Sequence, residues 1–157
     1  YHPCRNKTPW RRDLSKDPQP IHVPSKLEAF LKANTRTFII TVRRDGSPTG
    51  HPMTGWYDDG RMRVTTYRKS HKTRNAQRDQ RTTWLVLNGY DSHDGVRAVE
   101  FKGIHRVVEA TQMPNRAGVR QGVSTGLSSR TQNRLKSGKR IVLEVTPTEV
   151  GFMEDLR

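Results

Sequence analysis

From Thr37 onward the chain alternates apolar and polar positions with a period of two. TFIITVRR (37–44) is β-branched and apolar, and Asp45-Gly46 behind it is a hairpin signal. In SPTGHPMTGWYDD (47–59) Pro48 and Pro52 remove two amide donors from any ladder, which predicts an edge or irregular strand. Asp58-Asp59-Gly60 turns the chain again. RMRVTTY (61–67) then sets Met62 and Val64 against Arg61, Arg63 and Thr65. Further strands are predicted at TTWLVLN (82–88), at VRAVEFKGIHRVVEA (96–110) and at KRIVLEVTPTEV (139–150). The second of these is long enough to bend, and Gly103 is the place for it. About six strands with tight turns and few helices predict a mainly β (α+β) fold built as a closed or nearly closed barrel.

Two short helices fit between the strands. Ser25-Lys26-Leu27-Glu28 has the form of a capping box, and the helix it opens puts Leu27, Phe30 and Leu31 on one face, with Asn34 as its stop. Ser70 is placed to cap a second helix over about 71–79, on which Arg74, Arg78 and Arg81 would share a face at i, i+4 and i+7. Ala76 is nearly its only apolar residue, so this helix is expected at the surface. Residues 111–138 are rich in Ser, Gly and Arg and weakly periodic, which predicts a loop with one short helix. Residues 1–24 hold Pro3, Pro9, Pro18, Pro20 and Pro24, and are expected to form an extended arm ahead of a single domain at 25–157.

Composition narrows the partners without choosing one. The 157 residues carry a formal net charge of +14, which attracts nucleic acid, acidic lipid and phosphorylated cofactors alike. No apolar run reaches the length of a membrane span and no secretory segment is recognisable, so the expectation is a cytoplasmic protein. A single cysteine, Cys4, excludes an internal disulfide and a thiolate metal cluster. There is no zinc-protease helix motif, nucleophile elbow or phosphate loop, and the six histidines are dispersed, so no catalytic side chain and no metal ligand is assigned. A redox enzyme needs neither, because its cofactor carries the hydride while the protein positions it.

The densest cationic stretch is TYRKSHKTRNAQRDQR (66–81), with Arg68, Lys69, His71, Lys72, Arg74, Arg78 and Arg81. Thr65 and Thr66 end the preceding strand, and Ser70 and Lys72 open the helix. Hydroxyls, a lysine and a helix N-terminus are what a phosphate requires, since free amides and the positive end of the dipole point the same way. The competing readings are a solvated basic face and a nucleic-acid binder. No zinc finger, helix-turn-helix or RNA-binding aromatic strand supports the second.

From Leu27 to about Glu109, and again at RIVLEVTP, the chain resembles the pyridoxamine 5′-phosphate oxidase-like split β-barrel family of flavin and deazaflavin oxidoreductases. The hairpin TVRRDGSPTGHPMTGWYDDGRMRVTT, the stretch SHKTRNAQRDQR and the strand ending AVEFKGIHRVVEA carry the resemblance. It implies a six-stranded, FMN-binding split barrel. It further implies a homodimer with the cofactor ring in a groove between two subunits, and hydride transfer to a small organic substrate. His51, Pro52, Met53 and Thr54 would run along the ring, largely through backbone groups. Thr65, Thr66, His71 and Lys72 would hold the phosphate end, and the S-x-K-x-x-N motif adds Ser70 and Asn75. Three positions depart from the pattern: His71 stands where Arg is common, Ala76 where Leu is, and Gln80 where Pro is. The C-terminal Arg-, Trp- and Gly-rich segment of true pyridoxamine phosphate oxidases is not found after Val150, which disfavours that activity. The cofactor expected is the deazaflavin coenzyme F420, with FMN as the alternative. F420 carries more negative charge, and the net charge together with Arg68, Lys69, Arg74 and Arg78 favours it. Trp56, Tyr57 and Trp84 would either wall a pocket or fill the core. A member of the fold that binds a ligand without redox chemistry is the remaining alternative.

Overall fold

The computed structural model describes residue 19 and residues 21–89, 95–110 and 125–155. In chain order the elements are α1 (Ser25–Ala33), β1 (Arg36–Val42), β2 (Pro48–Asp58), β3 (Arg61–Tyr67), α2 (His71–Arg78), β4 (Arg81–Leu87), β5 (Val96–Val108), α3 (Thr125–Lys136) and β6 (Arg140–Asp155). The strands close an antiparallel barrel in the order β1-β2-β3-β6-β5-β4. Alternation decides what fills it. Ile39, Met62, Val64, Trp84, Val86, Val99, Phe101, Leu143 and Val145 are fully buried inside. Tyr57 stacks on Phe101, ring centroids 6.5 Å apart. Tyr57 and Trp84 are therefore core residues. Trp56 faces outward and is covered by Leu135 of α3 and Val142 of β6.

Gly103 marks an irregularity in the β5–β6 ladder, though the extra residue, Thr148, lies on β6. The pairing with β6 shifts between Lys102 and Gly103, and a Cβ at Gly103 would lie 2.3 Å from the Thr146 carbonyl oxygen, closer than side chains tolerate. The prolines of β2 act as expected. All of Pro48–Thr54 pairs with β1, but β3 joins only at Gly55–Asp58, so among the described residues 48–54 has one open edge. The Gly55 amide bonds the Thr35 carbonyl, which turns the odd-numbered amides of β2 toward β1. The even-numbered ones face the open edge. Pro48 and Pro52 have no N–H to offer there, so Gly50 and Thr54 supply its donors.

Three local expectations are corrected. The first helix begins at Ser25 with Pro24 in the cap position, and no side chain caps it. The Glu28 amide bonds the Pro24 carbonyl, and its carboxylate pairs with Lys32 instead of reaching back. The second helix stops at Arg78. Asp79 accepts from both the backbone and the guanidinium of Arg81, which pulls the chain out of the helix into β4. Arg81 therefore does not share a face with Arg74 and Arg78. The surface helix expected at 71–79 is also half sunk: Thr73, Asn75 and Ala76 are buried. Within 111–138 the described part, 125–138, holds α3, twelve residues long, and the turn that follows it. The proposed arm lies almost wholly outside the described residues, though Val23 packs into the core beside α1. Among the described residues no helix is long and apolar enough to cross a membrane.

Candidate anion and cofactor site

The site forms where β3 runs into α2. Ser70 takes an extended backbone (φ −72°, ψ 156°) and caps the helix by accepting from the Thr73 amide at 3.4 Å. Its hydroxyl also lies 3.1 Å from Thr66 Oγ1 and 3.0 Å from Thr73 Oγ1, and Thr73 Oγ1 donates to the Tyr67 carbonyl. This chain of hydroxyls fixes the turn. The Arg74 amide bonds the Ser70 carbonyl. Among the described residues no acceptor takes the amides of His71 and Lys72, which are left at the positive end of the helix.

The structure sorts the seven basic residues of the run. Arg68 grips Glu109 with both terminal guanidinium nitrogens (2.6 and 2.5 Å), and its Nε donates to the Gly138 carbonyl. Arg78 donates to the Val42 carbonyl and to Asn75 Oδ1. Arg81 is paired with Asp79 at 2.6 Å. Lys69, His71 and Arg74 are exposed. Lys72 alone is half-buried with no carboxylate beside it among the described residues. Burial, and then the charge of Arg140, hold its ammonium below the usual lysine range. A half-buried, uncompensated cation is stabilised by an incoming anion. Other cations are also engaged within the fold. Glu144, buried on β6, takes Arg63 at 2.7 Å, Arg106 at 2.9 Å and Arg61 at 3.5 Å.

The remaining sequence candidates fall into two groups. Asn75 is a tether: its amide donates to Thr41 Oγ1 at 3.1 Å, and Thr41 Oγ1 lies 3.4 Å from His51 Nε2. His51, Thr41, Asn75 and Arg78 thus tie α2 to β1 and β2. Burial, followed by Lys72, Arg43 and His71, lowers the His51 pKa, so its ring sits neutral beside the cations. Met53 points inward onto the core. Pro52 and Thr54 are exposed along the open edge of β2. Thr65 is buried on the outer face, opposite Val142. The structure therefore gathers Thr65, Thr66, Ser70, His71 and Lys72 at one end, sets Pro52 and Thr54 on the edge nearby, and gives the His51 and Asn75 side chains a positioning role.

Arg140 is the residue that sequence reasoning missed. It opens β6 opposite Tyr67, donates to the Thr65 carbonyl at 3.2 Å and stacks 4.6 Å over the Tyr67 ring. Its Nε is buried without a hydrogen-bond partner among the described residues. Only the β3–β6 register brings it beside Lys72, and no local motif marks that pairing. The one hint was a charge opening an otherwise apolar strand.

An antiparallel six-stranded barrel of this kind, with a helix N-terminus set beside an open strand edge, is a split β-barrel. The chain belongs to the pyridoxamine 5′-phosphate oxidase family, whose model matches residues 23–154. That family includes flavin-binding oxidoreductases. Among solved structures, the chain is similar to the conserved hypothetical protein Rv2991 of Mycobacterium tuberculosis (20% identity, 88% of this chain and 89% of that one, TM-score 0.62). It is also similar to an F420 reductase (21% identity, 82% and 98%, TM-score 0.60). A third is HutZ, the heme storage protein of Vibrio cholerae (10% identity, 85% and 95%, TM-score 0.62). At these identities the likeness is one of fold. No curated protein matches the sequence.

Proposed function

We propose that the protein is a cytoplasmic oxidoreductase that binds a deazaflavin coenzyme of the F420 type, with FMN as the alternative, and serves hydride transfer to a small organic substrate. The observation that carries this is Lys72: half-buried, uncompensated, and beside two free amides at the start of α2. The residues fit such a group at both ends. Lys72 and the amides of His71 and Lys72 would hold a phosphate, while Gly50 and Thr54 offer backbone donors along the open edge for the polar rim of a planar ring. When bound, the coenzyme supplies the hydride chemistry. The chain itself binds and orients it, and the tether from His51 to Arg78 keeps α2 in place. The charges that favour F420 are those of Lys69, Lys72, Arg74 and Arg140, because Arg68 and Arg78 are engaged within the fold.

A second copy of the chain would cover the open edge of β2 and the exposed Phe38 next to it, so the working form is a homodimer. Titrating the purified protein with F420 and separately with FMN, followed by ligand fluorescence, is expected to show binding tighter than about millimolar for at least one of them. Binding of neither removes this function. Light scattering on the loaded protein should give the mass of two chains, and a monomer at micromolar concentration would refute the shared site.

A further inference from the structure

Beyond Lys72 the cationic surface continues in a way that one phosphate does not explain. Tyr67 is nearly half exposed on the outer face of β3, and two guanidiniums lie against its ring: Arg140 at 4.6 Å and Arg134 of α3 at 5.4 Å. Arg134 also donates to the Tyr67 hydroxyl. Among the described residues no carboxylate pairs with either arginine. Burial holds the Arg140 guanidinium below its usual range; Tyr67 opposes this, and the charge of Arg134 adds a smaller push in the same direction as burial.

The backbone that carries the cluster is anchored on both sides of α3's end. Leu135, next to Arg134, is buried against Trp56 and Val142. The turn from α3 into β6 passes through Gly138 in the left-handed region (φ 69°), and Arg68 bonds the Gly138 carbonyl at 2.8 Å while gripping Glu109. Two like charges gathered at one aromatic ring, with no carboxylate against either among the described residues, form an anion receptor. Arg140 joins it to the first site, because it donates to the Thr65 carbonyl at 3.2 Å and its charge also bears on Lys72.

We propose that Tyr67, Arg134 and Arg140 form a second anion subsite, which takes an acidic group of the coenzyme beyond the phosphate held at Lys72 and so makes the site prefer a polyanionic deazaflavin to FMN. This rests on the cofactor reading above. F420 carries carboxylates past its phosphodiester, whereas FMN ends at its single phosphate, so only F420 can engage both subsites.

The test is a pair of affinities, for F420 and for FMN, measured on the wild type and on Arg134→Gln, Arg134→Lys and Lys72→Ala. Arg134→Gln removes the charge at an exposed position and is expected to weaken F420 about five- to tenfold while changing FMN less than about twofold. Arg134→Lys should recover most of the F420 affinity, and Lys72→Ala should weaken both ligands. Wild-type protein that binds F420 but shows equal losses for both ligands in Arg134→Gln, or none, overturns the subsite and leaves the cofactor reading standing. Wild-type protein that binds neither ligand overturns both.

Discussion

Replacing Lys72 with alanine is expected to weaken coenzyme binding by about tenfold to a hundredfold. The substitution removes one charge-assisted hydrogen bond to the phosphate, worth roughly 1.5–3 kcal/mol. The comparison that gives the number meaning is Arg81→Ala. Arg81 belongs to the same basic run, but its guanidinium is already satisfied by Asp79 at 2.6 Å and it sits on β4, past the far end of α2. Its loss should change affinity little. If the run were only a solvated basic face, both substitutions would weaken anion binding slightly and equally, and added salt would erase both effects. Lys72 is half-buried, so its contribution should survive moderate salt. Measuring both variants at low and moderate ionic strength separates the cases, and equal, salt-erased losses would end the assignment of Lys72 to a bound anion.

The barrel was legible because a period of two is a local property. Ile39, Met62 and Val64, or Trp84 and Val86, declare their common face within one strand. The paired prolines of β2 were legible for the same reason, since each acts on its own backbone, whereas the reason for Gly103, the close Thr146 carbonyl of β6, emerges only from strand pairing. The site was legible only in part. Which cations remain free depends on partners far along the chain: Arg68 is neutralised by Glu109, 41 residues away, and Arg78 is held by Val42, 36 residues away. Arg140 reaches the site through strand pairing with Tyr67, which no spacing rule reveals. The helix ends failed at smaller scale. A serine three residues before a glutamate is a good cap signal, but Pro24 shifted the start by one residue and left Ser25 inside the helix. Asn75 shows the limit of carrying a motif over. It occupies its expected position, yet its side chain faces Thr41 and Arg78 and secures the helix.

Acidification is expected to destabilise the fold through His105, a residue to which no function was attached. It lies inside the barrel on β5, paired with Val145, and is 1% exposed. Its ring packs against Trp84, centroids 5.8 Å apart, and neither ring nitrogen has a hydrogen-bond partner among the described residues. Burial pushes its pKa down to about 3, with only a weak opposing pull from Asp79. The imidazole is therefore neutral in the folded protein. In the unfolded chain it titrates near 6.5, so between pH 6.5 and about 3 the unfolded state binds more protons. Stability is thus complete above pH 6.5 and falls as the pH drops through this window. The loss from this one group is about 2 kcal/mol at pH 5 and approaches about 5 kcal/mol near pH 3. Other groups also titrate there, so the informative quantity is a difference. Urea unfolding of the wild type and of His105→Leu at pH 7.5 and pH 5 should show the wild type losing about 2 kcal/mol more than the variant between the two conditions. The absolute stability of the variant does not matter, because any packing defect is present at both pH values and cancels. Parallel losses in the two proteins would mean that the His105 ring is hydrated or paired, and that the barrel interior is more polar at this end than its packing indicates.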